Sequence, residues 1–219
     1  MDHKRHKPGK HTANACLMSY LQPYSASAEQ YKAIRNNIRY ASRGKMFHTM
    51  IVTSPSPGEG KTTAAVNLAV CMAQQGETVL LIDTNIRKPV LQHVFGLETA
   101  AGLTNVLAGQ VDSENAIHQS EIEKLDVLPS GPMMVNSIEM LDSHRMAQVL
   151  EYAGSRYDKV IFDSAPVLGH PDTSALATRC DGVILVFNSG KTKQEHALEA
   201  KSALEFAGAT LLGAVLNKK

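Results

Sequence analysis

No sign of charge dominates this chain. Its 22 Lys and Arg stand against 21 Asp and Glu, leaving a net charge of +1. No global field attracts nucleic acid, and no nucleic-acid partner is expected. Tryptophan is absent and aromatics make only 5% of residues, so the 43% apolar content that builds the core is mostly aliphatic. The three cysteines, Cys16, Cys71 and Cys180, are too few and too far apart for a Cys-x-x-Cys zinc pattern or a disulfide framework. They read as small buried or half-buried thiols in a reducing compartment. No apolar run approaches the ~18 residues of a membrane span, and the N-terminus lacks the apolar stretch of a secretory signal. These absences lead to the expectation of a soluble cytoplasmic protein.

What is present centres on Ser54-Pro55-Ser56-Pro57-Gly58-Glu59-Gly60-Lys61-Thr62-Thr63. A β-branched run from His48 to Thr53 precedes it, and a helix-like run from Lys61 to Gln75 follows, with Gly76 as the C-terminal stop. Strand, glycine loop and helix in that order make a phosphate cradle, because backbone N–H groups and the helix dipole converge on one point. Pro57, Gly58, Glu59, Gly60, Lys61, Thr62 and Thr63 are the binding candidates. Lys61 is placed to reach the β- and γ-phosphates and the Thr62 hydroxyl to ligate Mg²⁺. Pro55 stands where the full pattern has its first glycine. A second triplet, Gly190-Lys191-Thr192, lacks an upstream glycine loop and reads as a polar loop entering a helix.

Along the chain, residues 1–24 are expected to be a basic, flexible arm carrying Lys4, Arg5, Lys7 and Lys10, and residues 25–219 one domain. Ser25 to Ser42 reads as a helix with Ser27 as N-cap and Tyr31, Ile34, Ile38 and Ala41 on one face. Residues 78–82 form a continuous apolar strand ending in Asp83; residues 90–120 read as short helices and turns. Then come a strand at 125–128, a mostly helical stretch at 137–157, and the strand Val160-Ile161-Phe162 ending in Asp163. A helix at 171–178, a strand at 182–188, a helix at 192–207 and a strand at 210–216 complete the chain. Strands alternating with helices predict an α/β fold, a mostly parallel sheet flanked by helices on both faces. Met133, Met134, Met140 and Met146 are expected to fill packing gaps.

The loop at 55–63, Asp83 and Asp163 together describe one nucleotide–magnesium site. Carboxylates at the carboxyl ends of parallel strands are where ligands bind in open α/β sheets. Mg²⁺ takes oxygen ligands, which Thr62, the phosphates and Asp163, directly or through water, supply.

With these motifs in place, the chain resembles the bacterial tyrosine kinases of capsule and exopolysaccharide synthesis, in the CpsD/CapB-like branch where the kinase is a separate chain. The resemblance runs from Ser27 to Asn217. It rests on Ser54–Thr63 (Walker A), Val79–Pro89 (Walker A′, with Arg87-Lys88-Pro89) and Val160–Pro166 (Walker B). It implies a P-loop NTPase fold, ATP and Mg²⁺ as cofactors, and transfer to protein tyrosine substrates. Asp83 is then the base that receives the tyrosine proton, with Asn85 and Arg87 in the same catalytic loop and Asp83 completing the metal set of Thr62 and Asp163. Asn217 matches a position near the adenine. The stripe Glu29, Lys32, Arg35 resembles a self-association motif, implying a homo-oligomer. The resemblance also implies a transmembrane activator or polysaccharide co-polymerase, a cognate tyrosine phosphatase, and a place at the inner face of the plasma membrane held through that partner.

Three features depart from the family pattern. Asn85 replaces an acid, removing one negative charge near the metal. Lys32 replaces an arginine, and lysine cannot make the bidentate fork to a carboxylate. The tyrosines are Tyr20, Tyr24, Tyr31, Tyr40, Tyr152 and Tyr157, with no C-terminal cluster. That leaves three readings: a sequence that continues further, substrates on other proteins, or reduced transfer. Two alternatives to the kinase follow. One is an ATP-gated interaction protein acting on a membrane co-polymerase with little transfer. The other is a ParA/MinD-like ATPase, disfavoured because Ser56 stands where those proteins carry an extra lysine.

Overall fold

The computed structural model describes residues 15–41, 47–98, 100–133 and 137–218, and the side chains of all of these except 137 and 138. The basic run at Lys4 to Lys10 and Met134 lie outside the described residues.

Seven strands form one sheet. In chain order they are β1 (Thr49–Thr53), β2 (Val79–Asp83), β3 (His118–Gln119), β4 (Leu125–Leu128), β5 (Lys159–Asp163), β6 (Gly182–Asn188) and β7 (Leu211–Asn217). The spatial order is β3-β4-β2-β5-β1-β6-β7. All neighbours are parallel except β3 and β4, which run antiparallel. The short β3 lay inside the stretch read from sequence as helices and turns; two residues are too few to show a strand period.

The central strands are apolar without alternation because both of their faces are covered. Successive residues still point to opposite faces. Met50, Val52, Leu81, Ile161 and Ile184 meet one core, and Ile51, Leu80, Ile82, Phe162 and Leu185 meet the other. Helix α3 (Lys61–Ala73) belongs to the first face and is buried almost all round. Its outer side is covered by α2 (Ala26–Ala41), which packs through Tyr31, Ile34 and Ile38. The second face carries the helices Leu103–Leu107, His144–Arg156, Pro171–Ala177 and Gln194–Phe206.

Two details of α2 differ from the sequence reading. Its cap is Ser25, whose Oγ accepts from the Ala28 N–H at 3.2 Å, so the helix starts two residues earlier than Ser27 implied. Ala41 is exposed, and the packed face ends at Ile38.

The described end of the expected arm is packed. Helix α1 (Met18–Leu21) lies against α3, with Cys16 and Ser19 both 1% exposed. Asn67, buried in the middle of α3, accepts from the Ser19 N–H at 2.6 Å and donates to the Ala15 carbonyl at 3.3 Å. Gln74 Nε2 donates to the Ser19 carbonyl at 3.3 Å. Asn67 thus faces a strap instead of water, a pairing that no local sequence pattern announces.

Candidate nucleotide and phosphotransfer site

The phosphate loop joins β1 to α3 through Gly60, whose φ of 95° only glycine adopts without strain. The first helical bond runs from the Ala64 N–H to the Gly60 carbonyl at 2.9 Å. The N–H groups of Lys61, Thr62 and Thr63 therefore leave the helix end without a helical acceptor, which makes an anion cradle. A Cβ on Gly60 would overlap the Asn217 side-chain amide.

Both carboxylates stand at the carboxyl edge of the sheet. Asp163 is in register with Val52 of β1 and with Asp83 of β2, so the strand carrying it lies between the loop strand and the Asp83 strand. Asp83 and Asp163 are fully buried. Burial and the Asp163 charge push Asp83 above the usual carboxylate range, against three backbone hydrogen bonds that pull it down. Burial raises Asp163 too, while the Lys61 ammonium and the nearby Thr62 hydroxyl draw it back.

Their surroundings differ. Asp83 Oδ1 accepts from the Asn85 N–H at 3.0 Å, and Oδ2 from the N–H groups of Val90 at 3.0 Å and Leu91 at 3.1 Å. The carboxylate thereby cinches the segment 84–91, and about one of its four lone-pair directions remains. Neither oxygen of Asp163 has a hydrogen-bond partner. A buried carboxylate without partners costs several kcal/mol unless something positive meets it. An oxygen-lined site of one orphaned carboxylate beside the Thr62 hydroxyl fits Mg²⁺, which is held by one or two carboxylates plus substrate phosphates. Among the described residues no cluster of three or more His, Cys, Asp or Glu forms a protein-only metal cage.

The loop is braced by an unexpected contact. Glu59, 4% exposed, accepts from the Ser56 N–H at 3.0 Å and from the Thr192 hydroxyl at 2.6 Å. Thr192 in turn accepts from the Asn188 N–H at 2.8 Å. Asn217 Nδ2 donates to the Glu59 carbonyl at 3.1 Å. The ends of β6 and β7 thus hold the loop from behind.

The AAA domain family matches residues 48–200. The chain is 44% identical to tyrosine-protein kinase YwqD of Bacillus subtilis, over 93% of this chain and 86% of that protein. This chain belongs to the bacterial tyrosine-protein kinases. Solved structures agree. The chimerical protein CapA2B2 superposes with a TM-score of 0.89 at 35% identity, covering 93% of the kinase and 89% of that chain. The kinase domain of Escherichia coli ETK gives 0.88 at 28% identity, covering 93% and 79%. The cell-division ATPase MinD of Pyrococcus furiosus shares the fold at a lower TM-score of 0.68, covering 78% and 72%, so the ParA/MinD-like alternative is not favoured.

Within the kinase, the sheet gathers Lys61, Thr62, Asp83 and Asp163 at one edge. Glu59 turns its side chain away from the cradle and offers only backbone. Asn85 is 7% exposed and lends its N–H to Asp83. Arg87 is tied sideways: its guanidinium donates to His170 Nδ1 at 3.1 Å and lies 4.0 Å from Asp172. The stripe on α2 is engaged within the chain, Lys32 with Glu29 at 2.7 Å and with the Pro23 carbonyl at 3.0 Å, and Arg35 with the Cys71 carbonyl at 3.0 Å. Sequence reasoning missed Thr192, His170 and Asp172. The triplet at 190–192 was the visible signal for the first, read only as a loop; nothing local marks the other two. No helix among the described residues is long and apolar enough to cross a membrane.

Proposed function

We propose that this kinase transfers the γ-phosphoryl group of ATP to protein tyrosine hydroxyls at the carboxyl edge of its sheet, and that the output regulates capsular or exopolysaccharide synthesis. The observation that carries the site assignment is the unpartnered Asp163 carboxylate, buried beside Lys61 and Thr62 and in register with Asp83.

Phosphoryl transfer is mostly positioning and charge stabilisation. The N–H groups of residues 58–63 and the Lys61 ammonium hold the phosphates, and Asn217 borders the base. Thr62 and Asp163 are the residues that would hold Mg²⁺, which when bound neutralises charge on the phosphates; the Asp83 oxygens, named with them from the sequence, are mostly taken by backbone N–H groups. Asp83 is placed to receive the tyrosine proton. Burial beside a second carboxylate makes it more basic than a surface aspartate, which suits a general base near neutral pH. Arg87, with Lys88 beside it, offers positive charge at the mouth, and Asn85 keeps the Asp83 loop closed.

In this reading the kinase works beneath the plasma membrane, recruited by a transmembrane activator or co-polymerase, opposed by a tyrosine phosphatase, and able to self-associate through Glu29, Lys32 and Arg35. The test is phosphotyrosine formation on a Glu/Tyr copolymer with ATP and Mg²⁺. Asp83→Asn should lower the rate by about 10²-fold or more with little change in nucleotide affinity, as removal of a positioned base does. An unchanged rate in that variant removes Asp83 from the mechanism. Nucleotide-dependent binding to a membrane partner with no phosphotyrosine would instead support the ATP-gated interaction protein.

A further inference from the structure

The six tyrosines sort sharply by accessibility. Tyr31 is packed against α3, and burial pushes its phenol up to about 12. Tyr157 donates its hydroxyl to Asp126 at 2.7 Å. Tyr152 is half-buried with the Arg156 guanidinium 5.0 Å from its ring. Tyr20 lies within α1 at 39% exposure, and Tyr40 lies in the last turn of α2 at 71%. Tyr24 is 91% exposed and stands outside any helix, in the turn closed by the Ser25 N–H on the Gln22 carbonyl at 3.0 Å. A tyrosine in a helix must unwind its backbone to enter a site as an extended segment. A turn tyrosine with its ring in solvent does not.

We propose that Tyr24 is a self-phosphorylation site of this kinase, a proposal that rests on the tyrosine kinase reading above. In the step, the bond between the γ-phosphorus of ATP and its bridging oxygen breaks and a bond to Tyr24 Oη forms. ADP leaves, and the phenolic proton passes to the carboxylate of the transferring site.

The neighbourhood also gives the phosphate a consequence. The Lys32 ammonium sits 5.9 Å from the centroid of the Tyr24 ring. It is held there by Glu29 and by the Pro23 carbonyl in the same turn. A phosphate of charge about −2 on Tyr24 competes for that ammonium and repels Glu29. The modification therefore rewires the first turn of α2, next to the strap that Ser19 and Asn67 tie onto the phosphate-loop helix.

The experiment incubates the full chain with ATP and Mg²⁺, alone and with a Glu/Tyr copolymer, and maps phosphotyrosine by mass spectrometry in wild type, Tyr24→Phe and Tyr40→Phe. The expected result is phosphate on Tyr24, self-incorporation reduced by about tenfold in Tyr24→Phe, and copolymer labelling within about twofold of wild type in both variants. Tyr24 is exposed, so the phenylalanine variant should fold normally. Copolymer labelling with Tyr24 unmodified, or with the self-incorporated phosphate on Tyr40, overturns this site and leaves the kinase reading standing. No labelling of either substrate overturns the kinase reading and this site with it.

Discussion

The contact between Glu59 and Thr192 can be tested quantitatively. It joins the phosphate loop to a triplet that by sequence is only a polar loop. The hydroxyl-to-carboxylate bond is 2.6 Å long and the carboxylate is 4% exposed, so it belongs to the stronger class of hydrogen bonds, about 1.5–3 kcal/mol. Thr192→Val keeps the shape, removes that donor and strands the Asn188 N–H. The expected loss is about 3 kcal/mol, or roughly 6–12 °C in Tm for a chain of this size. Glu59→Ala removes the same bond together with the one from Ser56, for a loss of about 3 kcal/mol. The double variant should lose about 4 kcal/mol rather than 6, a coupling of about 2 kcal/mol. Urea unfolding of all four proteins measures it. ATP affinity should also fall in Thr192→Val, by about five- to tenfold, since the residue acts only through the shape of the loop. Additive losses, with coupling below about 0.3 kcal/mol, would refute the contact.

Other outcomes follow from the buried carboxylates and the strap. Asp163→Asn removes a buried charge whose oxygens make no hydrogen bond and whose burial outweighs the pull of Lys61, so the ligand-free protein should not lose stability, while the Tm gain on adding ATP with Mg²⁺ should largely vanish. The folded-state pKa of both Asp83 and Asp163 lies above the unfolded one. The stability they contribute is therefore fully present below the unfolded value of about 4 and is lost as pH rises through the raised folded values. Thermal melts of the ligand-free protein against pH should show that decline, and Asp163→Asn should flatten it. Asn67→Ala should cost about 2–3 kcal/mol, because it strands the buried Ser19 N–H and leaves a gap in α3. Limited proteolysis should then cut near residues 15–21, where wild type resists; equal resistance would mean the strap is held by other contacts.

The parts of the fold that were legible in the sequence were those with unbroken signals. The runs ending in Thr53, Asp83, Asp163 and Asn188 are apolar on both faces, so their burial and direction followed from composition, and the glycines at 58 and 60 marked the loop between β1 and α3. Two-residue β3 carried no period to read. The cap of α2 was placed at Ser27 and not at Ser25 because both serines fit a cap. Contacts between distant segments stayed hidden: Glu59 with Thr192, Arg87 with His170, and Asn67 with Ser19 each join residues whose partners only the folded sheet brings within reach. The strap at 15–21 looked like part of a basic arm because its polar partners lie inside a helix that otherwise reads as pure core.

The most direct measurement is transfer of label from γ-phosphate-labelled ATP to the tyrosines of a Glu/Tyr copolymer, compared between wild type and Lys61→Met. Mg²⁺-dependent phosphotyrosine is expected in wild type, with a loss of about 10²-fold or more in the variant, the scale of removing one group that stabilises transition-state charge. Release of inorganic phosphate with no phosphotyrosine, under conditions where wild type binds ATP and Mg²⁺, would contradict it.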